Sequence, residues 1–235
     1  MPTTVHAVAL ICLLSMVTAH AAGETSRLVA SLKAGKPQII VTYGTSLTAG
    51  GAWVPQLKEA LETEFPGLTT VINSGENAMW SKWGVDNLDV RVISKKPDAV
   101  FIEFAINDAY LEYKTSMAES QSNLINMVDR ILAAKAGTEI FLMTMSAVYG
   151  VSLERRPQLK DYYQVYRDVA KQRKLKLIDN YPNWAAILAK DKERYAKLVP
   201  DTAHPTADAC TEVLTPVILK ALGMNVAPAA AANAK

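Results

Sequence analysis

Cysteine and histidine are scarce in this 235-residue chain, which has two cysteines, Cys12 and Cys210, and three histidines, His6, His20 and His204. Charge is nearly balanced at a formal +2, with no long basic run or stripe. Each shortage excludes something. Without a concentrated field of Lys and Arg, nucleic acid is not an expected partner. Neither G-x-x-x-x-G-K-[ST] nor G-x-G-x-x-G occurs, so the two familiar phosphate-cradling loops are missing. Residues 27–223 contain no internal repeat and no linker.

The scarcity deepens once the start of the chain is set aside. Residues 7–19, "AVALICLLSMVTA", are an uncharged apolar run too short to span a bilayer comfortably. "AHAAGE" follows and offers an Ala-x-Ala cleavage site after Ala21. The expectation is a secretory signal peptide over residues 1–21, with an uncleaved anchor as the lesser reading, and a periplasmic or secreted protein with no stable membrane insertion after cleavage. Cys12 lacks the small residues that precede a lipidated cysteine. Cleavage removes Cys12, His6 and His20, leaving Cys210 without an intrachain disulfide partner and His204 as the only histidine. A zinc site of the usual ligand types then has little to build on, and no metal or other cofactor is expected.

Half of the residues are hydrophobic, enough for a sizeable core in one domain over residues 22–223. The Ala-rich tail, residues 224–235, carries no nameable chemistry. Strand-like apolar runs at 38–43, 69–73, 98–104, 139–146 and 175–179 alternate with segments of helical period. Trp53, Leu57, Leu61 and Phe65 share one helical face, and Leu124, Met127, Val128 and Ile131 share another. Ser81 is placed to cap a helix carrying Val85, Leu88 and Val92, and a last helix is expected over roughly 206–222. Five strands with helices between them predict an α/β fold, a three-layer α/β/α, flavodoxin-like domain on a five-stranded parallel sheet. Ligands of such sheets bind beyond the carboxyl ends of the strands. Here "GTSLT", "SGENA" and "INDAY" follow the first three strands.

The loop "GTSLTAGG" delivers Ser46 directly after a buried strand. A serine hydroxyl becomes a nucleophile only with a base in hydrogen-bond reach and a group that orients the base. His204 is the one histidine on offer, in "VPDTAHPTADA", and Asp201 lies three residues before it. In a tight turn that spacing lets a carboxylate meet the imidazole Nδ1 and leaves Nε2 for a serine. Taken singly, each residue has a plainer reading: Ser46 as a turn residue, Asp201 as a cap, His204 as a structural histidine at a helix start, Asn107 as a turn residue.

"GTSLT", "NSGENA", "AIND" and "DTAHP" together resemble, in order and spacing, the four blocks of the GDSL or SGNH hydrolases, over roughly residues 38–220. The resemblance implies a serine esterase or lipase-type hydrolase on a flavodoxin-like sheet, working without a metal. Ser46 would be the nucleophile, His204 the base and Asp201 its orienting acid. The oxyanion would be held by the Ser46 N–H, the Asn107 amide and a second-block N–H, for which Ala78 is preferred to Gly75. Gly44-Thr45-Ser46 replaces the family's Gly-Asp-Ser. Glu103, within the third strand, reads as a buried acceptor beneath the loops. Asp179 is a weaker competitor for the orienting acid. Trp80, Trp83 and Tyr110 are candidates for a sugar-stacking wall or for packing. "LERRPQLKD" could meet an acidic substrate, though it reads better as a solvated helix start. The expected substrate is a small-molecule or polysaccharide ester, with short O-acyl groups on carbohydrate favoured. The alternatives are longer-chain lysophospholipid or acyl thioester, a carbohydrate binder without turnover, and an O-acyltransferase.

Overall fold

The computed structural model describes residues 25–224; the expected leader and, apart from Met224, the Ala-rich tail lie outside the described residues. Five strands form one parallel sheet: β1 (Gln38–Gly44), β2 (Thr69–Asn73), β3 (Ala99–Glu103), β4 (Glu139–Thr144) and β5 (Lys176–Asp179). Their order is β2-β1-β3-β4-β5, so the winding reverses between β1 and β3. Every expected strand is present, with ends within two residues of the sequence-based bounds. β3 and β4 are buried along their whole length, as strands covered on both faces must be. The edge strands β2 and β5 are only partly buried, and their residues are correspondingly more polar.

The helices cover the sheet in two groups. Ser81–Arg91, Met117–Ala134 and Leu159–Arg173 pack side by side, while Trp53–Glu64 packs with the closing helix Thr215–Leu222, giving the three-layer α/β/α arrangement. Trp53, Leu57, Leu61 and Phe65 are buried, as are Leu124, Met127, Val128 and Ile131, so both predicted stripes face the core. A capping box of Ser116 and Glu119 opens the second of these helices. Among the described residues, no helix is long and apolar enough to cross a membrane.

Two expectations need correction. Ser81 does not cap its helix: it is the first helical residue, and its N–H donates to Asp108 Oδ1 at 2.8 Å. A carboxylate from the turn after β3 serves better here, because Asp108 Oδ2 also accepts from Ser120 Oγ and so ties two neighbouring helices together. The last helical segment is not uniform either, since a π turn over Cys210–Leu214 separates Ala207–Ala209 from Thr215–Leu222. The widening comes just before Pro216, which has no N–H and crowds a normal interior turn. Sequence periodicity also missed two helices after β5, Tyr181–Lys190 and Lys192–Leu198, separated by Asp191, which caps the second.

The end of β3 is fixed from below. Tyr166, fully buried on the Leu159–Arg173 helix, accepts the Phe104 N–H on its hydroxyl at 2.8 Å. Burial pushes that hydroxyl well above its ordinary pKa, so it stays protonated. Tyr166→Phe should therefore orphan a buried N–H and cost about 1–3 kcal/mol in urea denaturation. A loss below about 0.5 kcal/mol would contradict this account.

Candidate active site

The site is built at the carboxyl ends of the strands, starting with the turn after β1. Gly44 pairs in register with Glu103 of β3, and a Cβ at Gly44 would lie 2.2 Å from Glu103 Oε1. Only glycine leaves room for that carboxyl. Glu103, buried, accepts from the Thr45 N–H at 2.7 Å, Thr45 Oγ1 at 3.0 Å and Thr48 Oγ1 at 2.6 Å. Thr45 in turn caps the one-turn helix Ser46–Ala49 by accepting from the Leu47 N–H. Ser46 thus stands first in this turn, where its own N–H has no intrahelical acceptor. From the other side, Asn73 at the end of β2 donates to the carbonyls of Thr48 and Ala49.

The candidate base, His204, arrives from the turn before the closing helix. Ser46 Oγ lies 2.8 Å from His204 Nε2, and His204 Nδ1 lies 2.6 Å from Asp201 Oδ2. Asp201 Oδ1 accepts the N–H groups of His204 at 2.7 Å and Ala203 at 3.1 Å. Partial burial tends to raise this carboxyl, but those two N–H groups and the imidazole hold it below its ordinary value. The turn needs Thr202 in the left-handed region, at φ 72°. Thr202 Oγ1 meets Ser152 Oγ at 2.6 Å, and the Ala203 carbonyl accepts from Ser146 Oγ. Asp179, the competing acid, is elsewhere: Thr144 and the Arg167 guanidinium hold it at the end of β5.

Ala78, Asn107 and Tyr110 share a cavity with the same serine. A cavity of about 340 Å³ is lined by Ser46, His204, Ala78, Asn107, Tyr110, Tyr113 and Arg156, among others. The Gly75 N–H is taken by Asn73 Oδ1, and a Cβ there would sit 2.5 Å from the Ala49 nitrogen. Gly75 therefore allows β2 to approach the serine turn, while Ala78, at φ 57°, lines the cavity. Asn107 is anchored by donating Nδ2–H to the Met79 carbonyl at 2.8 Å. A second cavity of about 400 Å³ opens on the other side of Ser46 and His204, against Leu47, Trp53, Pro205 and Leu214. Another of about 420 Å³, beyond Arg156, contains neither Ser46 nor His204, so chemistry and not size marks the site.

The aromatic candidates separate. Tyr110 lines the first cavity, Trp80 stacks on Tyr113 at 4.6 Å, and Trp83 packs against Tyr43 and Phe104. Tyr113 had no signal of its own in the sequence. Nor did the position of Arg156, which leaves the basic helix start to reach Asn107. Among the described residues, no group of three or more His, Cys, Asp or Glu is arranged to hold a metal ion, and Cys210 is buried and unpaired.

Glu103 gives the site a pH signature. Burial pushes its carboxyl up to about 7 from 4.5, against the Thr48 and Thr45 donors and with Asp108 adding to the rise. Folding therefore favours the protonated form, so this contribution is complete below about 4.5 and is lost as pH rises through about 7. Asp108, raised by burial from 3.8 to about 6, acts in the same direction. Unfolding free energy should fall between pH 5 and pH 8, by about 3 kcal/mol at most from Glu103, and Glu103→Gln should flatten the slope. Equal slopes in the two proteins would count against the assignment.

Comparisons with known proteins follow the same lines. No curated protein matched the sequence. Among solved structures, the acetylxylan esterase Axe2 from Geobacillus stearothermophilus superposes with a TM-score of 0.70 at 21% identity, covering 81% of this chain and 96% of that one. LAE5, an alpha/beta hydrolase enzyme from the metagenome of Lake Arreo, Spain, gives 0.68 at 22% identity, covering 80% and 96%. At such identities the likeness concerns the fold. The match to a family reaches further, because it spans residues 41–209, from β1 to the start of the closing helical segment. The chain belongs to the GDSL-like Lipase/Acylhydrolase family, and is a hydrolase acting on ester bonds.

Proposed function

We propose that this hydrolase works through a Ser46–His204–Asp201 triad and an acyl-enzyme, on short O-acyl esters, acetyl above all, carried by carbohydrate. The observation that carries the reading is the unbroken chain from Ser46 Oγ to His204 Nε2 at 2.8 Å and from His204 Nδ1 to Asp201 at 2.6 Å. In this reading Ser46 attacks the ester carbonyl while His204 takes its proton, and Asp201 stabilises the imidazolium that forms. The oxyanion is received by the Ser46 N–H, the Ala78 N–H and the Asn107 amide. Such donors are fixed before charge develops, and each contributes about 10²–10³ in rate. The alcohol leaves with the proton from His204, and water then cleaves the acyl-enzyme through the same base.

The carbohydrate half of the reading rests on the rim, where Tyr110 and Tyr113 line the cavity that contains Ser46 with aromatic surface of the kind that packs against sugars. Solved neighbours named as acetylxylan esterases incline the same way. One observation favours a second reading: the apolar cavity against Leu47, Trp53 and Leu214 offers room for a longer acyl chain, as in a lysophospholipid or acyl thioester.

Hydrolysis of p-nitrophenyl acetate beside p-nitrophenyl octanoate tests both. Acetate should be preferred, with kcat lowered about 10⁴-fold or more in Ser46→Ala and His204→Ala. Preference for octanoate would move the substrate to long acyl chains. Full activity in either variant would sink the triad.

We further propose that the chain is exported and cleaved after Ala21, to act in the periplasm or outside the cell. The exported protein should then begin at Ala22 by N-terminal sequencing. An exported form that still carries Met1 would refute cleavage.

A further inference from the structure

Resting on that reading, we infer that Arg156 is a positioning residue for the oxyanion site, acting through Asn107. Its fork holds two oxygens of one short stretch: Nε donates to the Ile106 carbonyl at 2.8 Å, and Nη2 donates to Asn107 Oδ1 at 3.3 Å. The guanidinium lies 4.7 Å from the centre of the Tyr110 ring, which supports it from one side. Arg156 is half-buried and lines the cavity that contains Ser46 and His204.

The need for such a residue follows from the amide. A primary amide can rotate by a half-turn and exchange its oxygen for its nitrogen with little change in shape. If Asn107 did so, its carbonyl oxygen would face the developing oxyanion and repel it. Two contacts define the orientation. The Met79 carbonyl takes one Nδ2–H at 2.8 Å, and the Arg156 fork holds Oδ1 on the far side. The second Nδ2–H is left for the substrate oxygen. A lysine cannot replace this arrangement, because a single ammonium does not span two oxygens in a fixed plane.

The test is a double-mutant cycle on the full chain with p-nitrophenyl acetate. Arg156→Ala should lower kcat about 10–100-fold, the scale expected of a misplaced reacting group, with KM within about threefold. In an Asn107→Ala background the same change should cost less than about threefold, because the group it positions is gone. A merely structural role would give the same loss in both backgrounds. Arg156→Lys, which keeps the aliphatic stem against Tyr110 and the charge, should share the kcat loss, and it takes the place of the alanine variant in the cycle if that variant does not fold. An undiminished loss in the Asn107→Ala background, or full kcat in Arg156→Lys, overturns the inference. Full activity in Ser46→Ala would remove the reading beneath it as well, whereas an inactive Ser46→Ala beside an unaffected Arg156→Ala removes this inference alone.

Discussion

Glu103 occupies a position that fixes two halves of the site at once. It ends β3, opposite Gly44 of β1, where the sheet reverses its winding and strand ends diverge. A carboxyl buried there is costly unless donors meet it. The chain meets it with the Thr45 N–H and the hydroxyls of Thr45 and Thr48, all from the turn that carries Ser46. The serine turn is therefore tied to the middle of the sheet. Four residues after Glu103 the same chain presents Asn107. The proposed nucleophile and the proposed oxyanion donor thus share one anchor, and their separation depends on a few rigid bonds and not on a mobile loop.

Tyrosine hydroxyls extend this control to the outer loops. Tyr163 donates to the Ser146 carbonyl and Tyr195 to that of Ala147, holding the segment after β4. Tyr149 donates to the Val199 carbonyl, just before the turn with Asp201 and His204, and Tyr113 donates to that of Ala78. The rings of Tyr149, Tyr163 and Tyr195 pack in or against the core and that of Tyr113 stacks on Trp80, while each hydroxyl satisfies a loop carbonyl outside the sheet ladder. Loops carrying functional groups gain order this way without the regular hydrogen bonding of helix or strand.

The fold was largely legible in the sequence because its signals are local. Runs such as "QIIVTY" and "DAVFIEF" are β-branched and apolar enough to declare buried strands, and the stripes of Trp53 to Phe65 and Leu124 to Ile131 have the period of helices. The site was legible in part, for a different reason. With His204 the one histidine outside the expected leader, a base for Ser46 had a single address, and Asp201 lay within one turn of it. What stayed hidden depends on partners distant in sequence. Nothing near Arg156 announces that it reaches back 49 residues to Asn107, or that Asp108 and not Ser81 caps the helix after β2. Tyr113 likewise gains its place only when the segment after β3 folds over Ala78.

The distribution of backbone strain separates structural turns from the site. Five non-glycine residues of the described chain have positive φ: Ala78, Lys96, Lys114, Lys174 and Thr202. The three lysines each end a helix, where a left-handed residue closes the last turn as a matter of course. Ala78 and Thr202 end no helix. One lines the cavity beside Ser46, and the other lies between Asp201 and His204. A left-handed alanine or threonine costs on the order of 1–3 kcal/mol unless its surroundings hold it. Both are held: the Ala78 carbonyl accepts from Tyr113, and Thr202 is gripped through its hydroxyl by Ser152. Relaxing Ala78 would swing its N–H away from the position proposed for the oxyanion, and relaxing Thr202 would lengthen the span from Asp201 to His204. Strain without a helix end to explain it therefore coincides with the two places where a small change of backbone angle would disconnect the proposed chemistry.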